Sequence, residues 1–267
     1  MNEKNFEYLC DQVKYTGFGE GLESELKEKM QQQTPGFSLS HNAYYGTDTA
    51  TATLNFKKSD QSDMYFFNSY KVDLQKENSK ESLEQTFYIN KGSNITMKEA
   101  YNLMEGRAVN KDLTSKEGQV YNSWVQMDFK ETDGNGNFKL NQYHQNYGYD
   151  LEATLSKHPI KELDTAKFKD DLMDSLKKGN VQSVTFMKDG QEVKHYIEAN
   201  PQFKTINAYD GNLKRIDNRQ TKDEKQSEGQ NTSMKQENKR QNQSAEEDGP
   251  AAPQEAKKRK KKQSNSM

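Results

Sequence analysis

The segment DGNGN (residues 133–137) alternates oxygen-bearing side chains with glycines, which is the pattern of a calcium-binding loop. An EF-hand loop needs oxygen ligands at its positions 1, 3 and 5, glycine at position 6 and a bidentate glutamate at position 12. With Gly136 at position 6 the first ligands are acceptable, but position 12 is Gln142, which has no carboxylate. The flanking residues alternate as in β-strands, and Asp-Gly and Asn-Gly pairs are typical of tight turns. We therefore expect a hairpin turn and no metal site.

Motifs for other chemistry are incomplete. The glycine-rich segment TGFGEGLESEL (16–26) lacks the spacing of a dinucleotide-binding loop and has no Walker Lys-Ser/Thr pair. Cys10 has no activating neighbour in the sequence, and no carboxylate pair stands out as a general acid and base. The four histidines lie far apart, without metal-ligand spacing: His41, His144, His158 and His195. The sequence predicts a protein that is not an enzyme, with no catalytic residues, no cofactor and no metal.

Three aromatic residues are candidates for binding a partner: Trp124, Tyr143 and Tyr147. Trp124 has polar neighbours on the same face of its predicted strand. Either another element covers it or it is a contact anchor, since tryptophan is enriched at interaction hot spots. The two tyrosines lie among amide side chains and could stack on bases or pack in a core. No Lys or Arg occurs between residues 140 and 156, so a local cation for nucleic-acid binding is missing.

The last part of the chain differs in composition from the rest. Hydrophobic residues make up only 30% of the protein, mean hydropathy is -1.24, and no Phe, Tyr or Trp follows Tyr209. Residues 211–267 hold 14 Lys and Arg against 9 Asp and Glu, whereas residues 1–210 hold 25 against 32. We expect an acidic folded body and a disordered basic tail.

A basic run in the tail is the candidate for nucleic-acid binding: Lys257, Lys258, Arg259, Lys260, Lys261 and Lys262. Such a run is either a solvated chain end or an arm that binds phosphates without sequence preference. The single cysteine excludes an internal disulfide. Because the N-terminus lacks a signal-peptide pattern and no apolar run approaches the roughly 18 residues of a membrane span, we expect a cytoplasmic protein without membrane contact.

Periodicity and turn signals predict the helices and strands that carry these residues. Helices are predicted at 5–15, 19–33, 150–156 and 166–178, and another runs from the N-cap Thr96 to Gly106. Strands are predicted at 37–45, 49–56, 62–74, 83–90, 120–129, 137–144, 181–187, 192–199 and 203–209.

Two of the predicted helices end in the same motif, Leu-x-x-Gly, at 103–106 and 176–179, and strands with an Asp-Gly turn follow each of them. This weak repeat favours an α+β fold of helix-plus-β-hairpin units with antiparallel sheets. We predict three regions: N-terminal helices and an antiparallel meander (1–105), an α+β hairpin domain (106–210) and the disordered tail (211–267).

Residues 106–163 and 183–210 resemble a family of uncharacterised domains found on conjugative and mobilizable elements of Bacteroides-type bacteria. The matching features are Gly-Arg-Ala-Val at Gly106, Asn-Tyr-Gly-Tyr-Asp-Leu at Asn146, Pro-Ile-Lys-Glu-Leu at Pro159 and Ala-Asn-Pro-Gln-Phe at Ala199. In that family such domains also occur fused to topoisomerase-like DNA-processing proteins. The resemblance implies an accessory role near DNA and carries over no catalytic residue.

The sequence thus predicts an accessory protein of a mobile genetic element. Its α+β body would bind a protein partner, and its basic tail would bind nucleic acid weakly and without sequence preference. The alternative is a body that binds a small ligand or inhibits a host or phage factor, with a tail that only adds solubility. A closed pocket around Trp124, Tyr143 and Tyr147 would favour that alternative.

Overall fold

The computed structural model describes residues 1–90 and 94–216, and in these ranges the chain forms five α-helices and ten β-strands. The helices are α1 (Glu3–Val13), α2 (Glu23–Gln31), α3 (Met97–Met104), α4 (Leu151–Leu155) and α5 (Ala166–Lys177). The strands are β1 (Gly36–Tyr45), β2 (Asp48–Lys58), β3 (Tyr65–Gln75), β4 (Leu83–Tyr88), β5 (Val109–Thr114), β6 (Val120–Thr132), β7 (Phe138–His144), β8 (Gln182–Lys188), β9 (Gln191–Asn200) and β10 (Thr205–Tyr209).

The strands form three antiparallel sheets, with the orders β1-β2-β3-β4, β5-β6-β7 and β8-β9-β10. The predicted α+β class with antiparallel sheets is confirmed. The sequence pattern does not predict β5, because the charged pair Lys111 and Asp112 in that segment is typical of a loop. Within the described ranges, no helix combines the length and apolar character that crossing a membrane requires.

The first sheet packs its apolar face against α1, α2 and α3. In β2 the side chains of Ala50, Ala52 and Leu54 are buried, while the threonines between them lie on the opposite face. The helices contribute Leu9 and Leu26 among others to the same core cluster. This one-sided burial is the usual arrangement of an antiparallel sheet, and it leaves the threonine-bearing face in solvent.

The second sheet connects two core clusters. From β6, Val125 and Met127 join the cluster of the first sheet and helices. Their neighbour Trp124 points to the other face and joins a second cluster with residues of α4, α5 and the third sheet. The first cluster therefore extends beyond residue 105, where we predict a boundary, and the boundary itself stays a prediction.

The two Leu-x-x-Gly helix ends are in contact. Gly106 (φ +81°) and Gly179 (φ +78°) both follow their helices in the left-handed conformation, which suits glycine at a helix C-terminus. The buried Asn102 of α3 donates through Nδ2 to the carbonyl oxygen of Lys178 (2.6 Å) and to Oδ1 of Asn180 (3.0 Å). The Asn102 side chain, in the last turn of α3, thus forms hydrogen bonds with the residues that follow α5.

Residues 211–216 belong to the body, although the sequence places them in the tail. Arg215 forms a β-bridge with Tyr209, and the backbone N–H of Ile216 donates to the carbonyl oxygen of Ala208 (2.8 Å). This short return covers the outer edge of β10.

Candidate functional site

The predicted turn at residues 133–137 joins β6 to β7, which confirms the hairpin. Oδ1 of Asp133 accepts from the backbone N–H groups of Asn135 (2.8 Å) and Asn137 (2.9 Å), and these hydrogen bonds lower the pKa of the Asp133 carboxyl. Gly136 has φ +84°, which the turn requires. The acidic side chain thus stabilises its own loop, as in an Asx-turn.

The same loop attaches the second sheet to the edge of the first. Oδ1 of Asn137 accepts from the backbone N–H of Thr86 in β4 (2.9 Å). Gln85, buried beside it, accepts from the N–H of Phe138 (2.9 Å) and donates to the Phe138 carbonyl oxygen (3.2 Å). The Gln85 side chain therefore forms with the Phe138 backbone the two hydrogen bonds that a neighbouring strand would form.

Trp124 is covered by another element, which was one of the two interpretations open from sequence. Its side chain is only 6% exposed, and its ring meets that of Tyr149 edge to face at 5.4 Å. Tyr149 in turn donates its hydroxyl to the carbonyl oxygen of Thr205 (3.1 Å), and burial raises its pKa far above the usual range. Because Trp124 has almost no free surface, we correct its assignment as a partner-contact residue: its environment is that of a core side chain.

Tyr147 points outward from the same segment. Gly148 between Tyr147 and Tyr149 has φ +78°, and this left-handed residue ends the short 3₁₀ turn Gln145–Tyr147. Tyr147 remains 38% exposed and donates its hydroxyl to the carbonyl oxygen of Gln202 (2.8 Å). Its ring lies 5.0 Å from that of Tyr143, so the structure brings these two predicted residues together.

A second turn, which the sequence does not single out, completes this surface. Asn200 caps the 3₁₀ turn Pro201–Phe203 by accepting from the Phe203 N–H (3.3 Å). Phe203 is 69% exposed, and the next residue, Lys204, places its ammonium 4.7 Å from the centre of the Tyr147 ring. We call Tyr143, Tyr147, Phe203 and Lys204 the aromatic patch.

Lys204 supplies the cation that is absent from residues 140–156. It reaches Tyr147 from a turn more than fifty residues further along the chain, so local sequence gives no signal for it. Its backbone lies in the left-handed region (φ +52°), an uncommon and costly conformation for a residue other than glycine. An exposed aromatic ring with a cation over it is a combination found at binding surfaces.

The basic run Lys257, Lys258, Arg259, Lys260, Lys261 and Lys262 lies outside the described residues. Its role as a nucleic-acid-binding arm stays a prediction.

The surroundings of Cys10 make its thiol less reactive. Burial, together with the carboxylates of Glu23, Asp11 and Glu7, raises the pKa of its thiol to about 11. The thiolate, which is the nucleophilic form, is therefore disfavoured at neutral pH. In the described part of the chain, no three His, Cys, Asp or Glu side chains come together as metal ligands.

Open grooves occur away from the aromatic patch. One of about 280 Å³ lies between β4 and β7, with an apolar floor that includes Phe87 and Leu140 and amide side chains that include Asn90 and Gln142. Another, of about 410 Å³, lies between α4 and α5. The first is close to the lower limit of common small-molecule sites.

Comparison with known proteins gives no further guide to the role of these surfaces. No protein-family model, no curated protein and no solved structure matches this chain.

Proposed function

We propose that this chain is a non-enzymatic accessory protein that binds a protein partner through the aromatic patch and nucleic acid through the basic run at residues 257–262. The observation that carries the proposal is the Lys204 ammonium over the exposed Tyr147 ring, with the exposed Phe203 adjacent to Lys204 in the chain. Burial of aromatic side chains against a partner contributes much binding free energy, and a cation next to them restricts the orientation of the partner.

The strained backbone of Lys204 supports a role in binding. Glycine would adopt the observed φ at lower cost. The long side chain, in contrast, is needed to reach the Tyr147 ring. We interpret the strain as the cost of placing a cation within the aromatic patch.

The charge distribution supports a division of roles between body and basic run. Residues 1–210 are net acidic and repel nucleic acid, whereas the run at 257–262 contains six basic residues in succession. Such a run binds phosphates by releasing counterions, without reading sequence. The resemblance to domains of mobile genetic elements supplies the context, an accessory role near DNA.

The aromatic patch is tested by capture of binding proteins from the native host. Phe203→Ser removes the exposed ring, and Lys204→Gly removes the cation while relieving the backbone strain. Phe168→Ser is the matched control, because Phe168 is a similarly exposed aromatic (57%) on α5. We expect one protein retained by the wild type and by the control, and lost with both patch variants. Retention by all four chains would rule out this surface.

The basic run is tested by measuring DNA binding of the full chain against salt concentration. One variant replaces the six residues of the run by glutamine. Its control replaces six dispersed basic residues of the same tail, which changes the net charge equally: Arg219, Lys222, Lys225, Lys235, Lys239 and Arg240. We expect loss of the run to reduce the slope of log K against log salt by up to about 5, and the control to reduce it less. Equal binding by the wild type and the run variant contradicts the proposal.

A second candidate function, binding of a small ligand, is supported by the groove between β4 and β7. Apolar side chains on its floor and amides around it are the common composition of a ligand site. NMR titration with uncharged heteroaromatic molecules would shift the amide signals of groove residues, and Leu140→Trp, which fills the groove, would abolish those shifts. Absence of shifts in the wild type excludes this candidate for the molecules tested.

A further inference from the structure

Among the described residues, no strand pairs with the outer edge of β1. β1 lies at the end of the first sheet and pairs with β2 through ten successive residues without a register shift. The backbone N–H of Lys58 donates to the carbonyl oxygen of Pro35 (2.9 Å), so by the alternation of an antiparallel ladder the odd-numbered residues of β1 bond to β2. The N–H and C=O groups of Ser38, Ser40 and Asn42 therefore point away from the sheet, and no backbone group of the described residues bonds to them.

Three other sheet edges are covered. At β8, the backbone N–H of Met187 donates to the carbonyl oxygen of Pro159 (2.9 Å), and that of Thr185 donates to both carboxylate oxygens of Glu162 (3.0 Å each). At β10 the return through Arg215 covers the edge, and at β4 the Asn137 side chain bonds to Thr86. No such bond covers β1 among the described residues. β5 also lacks one, but it carries the charged pair Lys111 and Asp112, which discourages pairing at an edge.

β1 also lacks the features by which natural edge strands avoid pairing. Such strands are short, or contain a bulge, a proline or a charged residue, most often lysine. The sequence GFSLSHNAYY has ten residues and none of Pro, Lys, Arg, Asp or Glu, and the pairing with β2 contains no bulge. This edge is therefore a template for another strand.

We infer that β1 pairs antiparallel with β1 of a second copy of the chain, which makes a dimer with a continuous sheet. A two-fold axis through His41 places Leu39 opposite Ala43 and Phe37 opposite Tyr45 on the apolar face. On the other face it places Ser38 opposite Tyr44 and Ser40 opposite Asn42.

Both faces favour this self-pairing. Phe37, Ala43 and Tyr45 are partly buried at the margin of the first core cluster, and a second copy would cover them further. The opposite face carries uncharged hydroxyl and amide groups, so two copies meet without repulsion between like charges. Because neither face of β1 carries a Lys, Arg, Asp or Glu, an identical strand meets no like charge there, and we assign a second copy to this edge.

The test is the mass of the full chain in solution as a function of concentration. Sedimentation equilibrium of the wild type should give twice the 30.8 kDa chain mass at high concentration. Ser40→Lys places a charge opposite Asn42 of the second copy and close to its own symmetry mate, and we expect at least a tenfold rise in the dimer dissociation constant. Thr53→Lys is the matched control, because Thr53 lies directly opposite Ser40 on the same face of the sheet but in β2. We expect it to remain dimeric.

Two further measurements locate the interface. Ser40→Pro removes an outward N–H without breaking a bond to β2, and it should also give monomers that retain the wild-type circular dichroism spectrum. Hydrogen exchange of the Ser38, Ser40 and Asn42 amides should slow as wild-type concentration rises. A wild type that stays monomeric at several hundred micromolar overturns the inference. So does a dimer that persists unchanged in Ser40→Lys and Ser40→Pro.

Discussion

At the scale of single residues, Gly179 combines two requirements that only glycine meets. Its backbone is left-handed (φ +78°), and a Cβ at this position would lie 2.9 Å from the carbonyl oxygen of Ala108 and 3.0 Å from Cγ2 of Val109. Neither the conformation nor the contact can be relieved by rotating a flexible side chain, because the nearest atom belongs to the backbone. The close approach of the two helix ends therefore depends on this residue.

We predict that Gly179→Ala lowers the free energy of unfolding by about 2–4 kcal/mol, from the left-handed conformation and the forced contact together. Gly190→Ala is the control: Gly190 has a similar φ of +75°, but nothing lies within 4 Å of its would-be Cβ. That variant should lose only about 1 kcal/mol. Urea denaturation of both measures the difference, and equal losses would show that the contact at Gly179 is unimportant.

At the scale of elements, sequence predicts what depends on local pattern. The Thr96 cap is present with its full capping box, in which Glu99 accepts from the Thr96 N–H (2.9 Å), because all its groups lie within one turn of helix. The meander of the first sheet is also predicted, since short turns leave few alternatives. The contact of Tyr147 with Lys204 is not, because it joins elements distant in sequence. The coverage of Trp124 likewise depends on how the third sheet packs.

A prediction at this scale concerns Gln85, whose side chain links β4 to β7. Gln85→Ala leaves the N–H and C=O of Phe138 without their partner in a partly buried position, so we expect a loss of about 1–3 kcal/mol in the free energy of unfolding. Amide exchange at Phe138 should accelerate at the same time. Gln191→Ala, at an exposed position of β9, is the control and should change neither quantity. Unchanged exchange at Phe138 in the Gln85 variant would mean that water replaces the bond at no cost.

At the scale of the whole molecule, the proposed functions lie in separate parts of the chain. The aromatic patch and the β1 edge belong to the compact unit Met1–Asn218, whereas the basic run belongs to the residues after it. A partner bound at the aromatic patch and a nucleic acid bound at 257–262 would be held by the same chain. Pairing through β1 would add a second basic run to the same assembly, which strengthens nucleic-acid binding by raising the local concentration of the second site.

We predict that a chain ending at Asn218 unfolds like the full chain. The core clusters consist of residues up to Ala208, and the residues after Tyr209 include no aromatic side chain that could add to them. Because the dependence of unfolding on urea scales with the surface exposed, both the midpoint and the slope should be unchanged, while DNA binding should be lost. A lower midpoint for the shortened chain would show that residues 219–267 stabilise the body. DNA binding retained without them would move the nucleic-acid site onto the body, against its net negative charge.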